Sequence, residues 1–372
     1  MRFRHKTLKS QIDPLSERHF QAVKKSLTDM SQIEEEAIRV ASIMRNARGI
    51  LDDLDRQFEE QTGLTETDMK FLFMAAGLQC LRQYIFSNDA FRLSSEKGDQ
   101  LIEGYVPKAW QDILCSSVPY DAIRHVGFDE STGLSGYTHR YRTLGHDPLF
   151  GWVFGPVNII TDSLTKSDIV TTYVVRDMCI CGHYPLGTIG AFNDCIHSVQ
   201  TEKKLLPIAV IRQAIHFGSD YFTKQGLPIP ILPTLNNDLS GFLLTKCNID
   251  MYSVTRGATI SVLINAIISY IHAIFYDSKI DGSREMYDVR TRKVVTYANV
   301  IASASNIVYV AVQCYLGDKK NALKQLDIGG LLVTLYRLFT DYKYIYQLKT
   351  EFLSRKFVEL VHKDDTLSGG PL

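Results

Sequence analysis

Three groups of residues have types and spacings suited to metal-assisted chemistry. His216 and Asp220 stand four apart in AIHFGSD, so on a helix both point to one face. A neutral imidazole and a carboxylate so placed suit one divalent ion. The stretch THRYRTLGHDPL (138–149) puts two histidines, two arginines and an aspartate into a glycine-containing loop. Its adjacent His146 and Asp147 both become ligands where the backbone turns, and Pro148 at the first position of a following helix favours a turn there. Arg140 and Arg142 match the geometry of an anionic oxygen such as phosphate. His272 lies in an apolar run that ends at Asp277. Buried there, it needs a partner: a metal, or equally Asn299 or Ser303. Each group also has a plain reading: a salt pair at 216/220, a helix cap at Asp147, a loop hydrogen bond for His146.

A rival cluster is Cys179-x-Cys181-x-His183 with Cys195-x-His197. It offers soft ligands for structural zinc, or simply buried thiols. There is no Walker A loop, GxGxxG or GxSxG. Gly329-Gly330 reads as close helix packing.

HFGSDYFTKQGLPIPILP resembles the His-x-x-x-Asp then Gly-x-Pro pattern of the bacterial membrane-bound metal-dependent hydrolases. These are distantly similar to the helical zinc-dependent phospholipase C and single-strand nuclease families. His139-Arg140 and His146 correspond to that family's earlier His-Arg…His segment, with a gap two residues longer and Asp147 where the family has Ser. The whole chain also looks like uncharacterised proteins of bacterial mobile-element and defence-associated neighbourhoods. The resemblance implies a divalent metal such as zinc, a phosphoester substrate (lipid or nucleotide) and a partner in a defence complex.

These side chains must be positioned by helices. Apolar residues recur at helical spacing over 15–60, and Thr65 with Asp68 signals the start of a helix over 66–86. Glycines 127, 133, 136 and 145 make 115–145 a loop. Residues 148–166 begin as an apolar helix, 169–182 are β-branched and read as a strand or a buried segment, and 205–221 read as a helix stopped by GLPIPILP. Runs 257–276 and 294–316 carry no formal charge, reach transmembrane length and form a helical hairpin about a charged linker. A last helix covers 326–362. Polar residues of the runs fall in stripes: Asn265, Ser269, His272 and Tyr276 on one, Asn299, Ser303, Asn306 and Gln313 on the other. A stripe of this kind must face protein or a wet cavity. The pair therefore reads as buried core helices, as a transmembrane hairpin, or as a pore or peripheral membrane contact. Basic residues on both sides of the second run give no positive-inside asymmetry.

The 372 residues carry 41 basic and 41 acidic side chains and are 45% hydrophobic. Neutral charge excludes a globally basic nucleic-acid coat and an acidic disordered regulator. Seven irregularly spaced cysteines read as free thiols in a reducing cytoplasm. The basic start, MRFRHKTLKS, precedes no apolar run and does not read as a signal peptide. The expected fold is all-α: a helical N-terminal lobe over 1–115, which is a packing or homo-oligomerisation element, a helical main domain over 116–362, and a disordered tail over 363–372. The expected function is metal-dependent hydrolysis of a phosphoester, with His146, Asp147, His216, Asp220 and His272 as ligands and Arg140 or Arg142 stabilising phosphoryl charge. A cytoplasmic location follows, with membrane contact through the apolar runs. The alternative is a non-enzymatic scaffold or membrane-associated effector.

Overall fold

The computed structural model describes residues 4–85, 92–127, 132–224 and 226–362, with side chains from residue 16 onward and Lys320 excepted. The tail expected over 363–372 lies outside the described residues. Helices dominate, as the sequence indicates; the only sheet among the described residues has four short strands. The chain divides into two compact units, one of residues 1–63, 276–290 and 341–372, the other of 64–275 and 291–340. The stretch read as one N-terminal lobe over 1–115 thus contributes to both.

In the first unit, Arg4–Arg45 and Ala47–Gln61 are helices. Phe58 packs with Met286, Val289 and Phe352 into a small apolar cluster. In the second unit, four helical stretches form a bundle. They are Glu66–Ile85, Met251–Ile274, the 291–315 part of Arg284–Tyr315, and the 328–340 part of Ile328–His362. The first starts as the sequence predicts: the Thr65 amide donates to Asp68 Oδ2 (2.8 Å), and the Asp68 amide to Thr65 Oγ1 (3.2 Å). Phe71, Leu72, Ala75, Ala76, Ile268, Val294, Val295 and Ala298 form its apolar core. A Cβ on Gly329 would stand 2.3 Å from the Val254 carbonyl oxygen, so two helices approach here to a distance only glycine allows.

Asn265, His272, Asn299, Ser303 and Asn306 of the polar stripes are buried inside this bundle. Asn299 Nδ2 donates to Asn265 Oδ1 (2.8 Å), Gln79 Nε2 donates to the same oxygen (2.9 Å), Ser303 meets Thr334 (2.7 Å), and Asn306 donates to the Gln325 carbonyl (2.9 Å). Arg82 forms a buried ion pair with Asp327. The opposite faces are not buried: Val262, Leu263, Ile267, Val300, Ile307 and Val308 are among the exposed apolar side chains. Met251–Ile274 and Arg284–Tyr315 are both long and apolar enough to cross a membrane.

The remaining elements surround the candidate site. The segment read as strand or buried segment is a hairpin, β3 (Thr172–Arg176) and β4 (Cys179–His183). It is flanked by β2 (Ser163–Thr165), antiparallel to β3, and β1 (Arg124–His125), parallel to β4. Val118, Tyr120, Leu164, Tyr173, Val175, Ile180 and Ala209 close a core beneath it. Helices Gly151–Ile160 and Leu205–Phe222 pack together. Gly155 permits this, since a Cβ there would lie 1.9 Å from Gln213 Oε1.

Candidate metal centre

Leu205–Phe222 forms because nine of its first eleven residues are apolar, and it ends where Thr223 turns to extended backbone ahead of GLPIPILP. Its inward face carries Arg212, His216 and Asp220 at four-residue steps. His146 ends the short 3-10 turn Leu144–His146 and is fully buried. Asp121 ends another such turn, Pro119–Asp121. Among the described residues, the group of metal-ligand side chains that converges is Asp121, His146 and His216.

The atoms face one another. His146 Nε2 lies 2.9 Å from Asp121 Oδ1 and 3.2 Å from His216 Nε2. Asp220 Oδ2 stands 3.2 Å from His216 Nε2 and 3.6 Å from His146 Nε2, and His216 Nε2 is 3.7 Å from Asp121 Oδ1. Tetrahedral ligands at about 2.0–2.1 Å from zinc have donor–donor edges of about 3.3 Å, the middle of this range. Asp220 is 3% exposed, and its Oδ2 makes no hydrogen bond, while Oδ1 lies 2.5 Å from Arg140 Nη1. A buried carboxylate oxygen without a donor is costly, and a cation between these four atoms would satisfy it.

The surroundings orient these side chains. Thr143 Oγ1 lies 2.7 Å from His146 Nδ1 and donates to the His139 carbonyl at 2.8 Å. With its one proton so used, the hydroxyl accepts from His146 Nδ1–H and Nε2 presents a lone pair to the cluster. The Tyr120 ring meets both imidazoles edge-on, at centroid distances of 4.9 and 5.3 Å. It is held by a hydrogen bond from its hydroxyl to Gln213 Oε1 (2.5 Å), and Gln213 in turn donates to the Gly145 carbonyl (2.8 Å). His139 donates Nδ1–H to the Gly136 carbonyl (2.6 Å) and turns Nε2 to within 3.5 Å of Asp121.

The charges divide the two imidazoles. Burial lowers the pKa of His146, to about 4, against the pull of Asp121. Burial lowers that of His216 too, but Asp220 and Asp121 outweigh it and lift the group to about 9. Both aspartates resist the upward push of burial, with His216 the largest opposing influence, and are held below the usual carboxylate range. The His216 imidazolium therefore supplies positive charge between the two aspartates. Burial, with Asp121 beside it, keeps Tyr120 protonated far above its ordinary range.

Of the residues singled out from sequence, the fold brings together His146, His216, Asp220 and Arg140. The others stand elsewhere. Asp147, next to His146, points away: its Oδ1 accepts from the Leu149 and Phe150 amides (both 2.9 Å) and its Oδ2 from the Ile231 amide (2.8 Å). It is a helix cap that also ties down GLPIPILP. His272 is not a fifth ligand, because Asp68 (2.7 Å) and Thr291 (2.8 Å) engage its two nitrogens in the helix bundle. Arg142 lies against Gly133 and the Tyr141 ring. Cys179 and Cys181 are free thiols on β4, and Cys195 is buried in a helix. Sequence reasoning missed Asp121, which reaches His146 across 25 residues of irregular chain. It also missed Arg212, although the four-residue step before His216 was there to read. No known protein family, curated protein or solved structure matches this chain.

Proposed function

We propose that the protein is a metal-dependent hydrolase of phosphoesters. The observation that carries this reading is the convergence of Asp121, His146 and His216, with Asp220 Oδ2 within 3.6 Å of both imidazoles. The group opens on a cavity of about 310 Å³ lined also by Arg140, Arg212 and Ser219. When bound, a divalent ion such as zinc acidifies water towards a pKa of about 7 and polarises a phosphoryl oxygen. Arg140 fixes Asp220 through Oδ1. Arg212 donates to the Ser117 carbonyl (2.9 Å), and among the described residues no carboxylate lies within 4 Å of it. An anionic substrate oxygen would accept from its unpaired Nε–H. Hydrolysis breaks the bond from phosphorus to the alcohol oxygen and forms one to water oxygen, and a water proton leaves with the alcohol.

The test is elemental analysis of purified protein beside a His216→Ala, Asp220→Ala variant. About one divalent ion per chain in the first and none in the second is the expected result; no metal in either ends the proposal.

We also propose that the protein sits at a membrane, because the bundle turns its paired polar groups inward beside the apolar core and leaves apolar side chains exposed on its outer faces. Between Phe71 and Ile85 the only charge is the buried Arg82, and 257–274 and 294–316 have none. Tyr297 and Tyr315, both exposed, mark the ends of an aliphatic stretch about 27 Å long, close to the roughly 30 Å of a bilayer's hydrocarbon. The same observation favours the second reading, a membrane-associated effector without catalysis. Carbonate-washed membranes decide the location: a protein recovered wholly in the supernatant without detergent is not embedded.

A further inference from the structure

A second, larger cleft of about 850 Å³ adjoins the metal cavity, and the two share Ser116, Ser117 and Arg212. Its walls are rich in hydrogen-bonding groups, among them Thr161, Asp162, Tyr184 and Asp194. The Tyr184 hydroxyl donates to Asp194 Oδ2 at 2.8 Å, leaving the other carboxylate oxygen to a ligand. Arg212 sits at the junction. Its Nη2 is anchored on the Ser116 and Ser117 carbonyls (3.3 and 2.9 Å), and its buried Nε has no hydrogen-bond partner. A guanidinium fixed in this way, with Asp162 nearby but its Nε–H unpaired, has a donor left for an oxyanion. The cavity beyond it, beside Asp121, His216 and Asp220, measures about 310 Å³, room for a phosphoryl group, its attacking water and several further waters.

We infer that the two cavities form one bipartite site, in which Arg212 holds the phosphoryl oxygens and the larger cleft takes a hydroxyl-bearing alcohol moiety through Asp194 and Asp162. This rests on the hydrolase reading and narrows its substrate to phosphoesters of polyols. The carboxylates and the tyrosine hydroxyl offer hydroxyl groups hydrogen-bond partners that an apolar leaving group cannot use. A lipid headgroup and a soluble sugar or glycerol ester share this chemistry.

The experiment is calorimetric titration of the full-length protein, zinc-loaded and chelated, with orthophosphate and with glycerol 3-phosphate. Glycerol 3-phosphate is expected to bind about tenfold more tightly than orthophosphate, about 1.4 kcal/mol. Arg212→Gln should weaken both ligands, in the chelated protein too. Asp194→Asn should erase the advantage of the glycerol ester and leave orthophosphate unchanged. Equal affinity for the two ligands, or an Asp194→Asn variant that keeps the preference, overturns the inference. Zinc content of the same samples separates the failures: zinc-loaded protein without the preference refutes the bipartite site alone. Competition by phosphatidylglycerol vesicles assigns the ester to a lipid headgroup, and its absence assigns it to a soluble ester; both support the shared chemistry.

Discussion

His146 and His216 lie 3.2 Å apart at their Nε2 atoms, yet burial and two aspartates drive their proton affinities in opposite directions. The sign of the pH effect follows by linkage. His216, raised to about 9 from an ordinary 6.5, adds stability that is complete below pH 6.5 and is lost as pH rises through 9. His146, lowered to about 4, makes the folded chain bind fewer protons than the unfolded one between pH 4 and 6.5, so stability falls as pH drops through that window. The chelated protein should therefore melt at its highest temperature near pH 6.5. A His216→Gln variant should lose the decline on the alkaline side, and an unchanged alkaline limb in thermal scans would refute the assignment. Zinc must displace the His216 proton, so near neutral pH its uptake should release protons, which a weakly buffered titration reads directly. His216 and Asp220 were legible because a helix fixes the relation of residues four apart. Asp121 was not, because no periodicity links a 3-10 turn to a histidine 25 residues on.

At the scale of elements, His146 and Asp147 show why adjacency misleads. The turn that ends at His146 buries its ring, and the next residue, already extended at φ −68° and ψ 123°, caps the following helix. Asp147→Ala should cost about 1–2 kcal/mol for the lost cap, and more for the Ile231 amide left unpaired. Metal content should stay at the wild-type value, which chemical denaturation and elemental analysis together would check. The helix Arg4–Arg45 makes a different demand. Phe20, Val23, Leu27 and Met30 recur at steps of three and four and are all more than half exposed. A seam of this kind is what a coiled coil buries. Leu27→Glu should therefore convert a self-associated protein to monomer in light-scattering measurements. The sequence signalled nearly every long helix, since periodicity and Gly/Pro stops are local. The four-stranded sheet was visible only as one β-branched stretch, because the outer strands, of two and three residues, carry no period.

For the whole molecule, zero net charge and average hydrophobicity conceal a segregation. Charge lies largely outside the bundle, and inside it the polar groups pair with one another. Arg82 and Asp327 are one such pair. Arg82→Met alone should destabilise by about 3–5 kcal/mol, because it strands a buried carboxylate, whereas Arg82→Met with Asp327→Leu should recover most of the loss. Equal melting of the single and double variants would show that the pair contributes nothing.

The same ion pair spans 245 residues of chain. At about 5–20 residues per second of synthesis, roughly 12–50 s pass between the making of Arg82 and the making of its partner. During that interval the first helix of the bundle carries a guanidinium, Gln79 and Gln83 with their final partners not yet translated. The bundle can close only once the chain has been made through Asp327 and the helix that follows it. A chain stopped short of Asp327 would thus be marked by an unpaired buried charge, a built-in signal that the protein is incomplete.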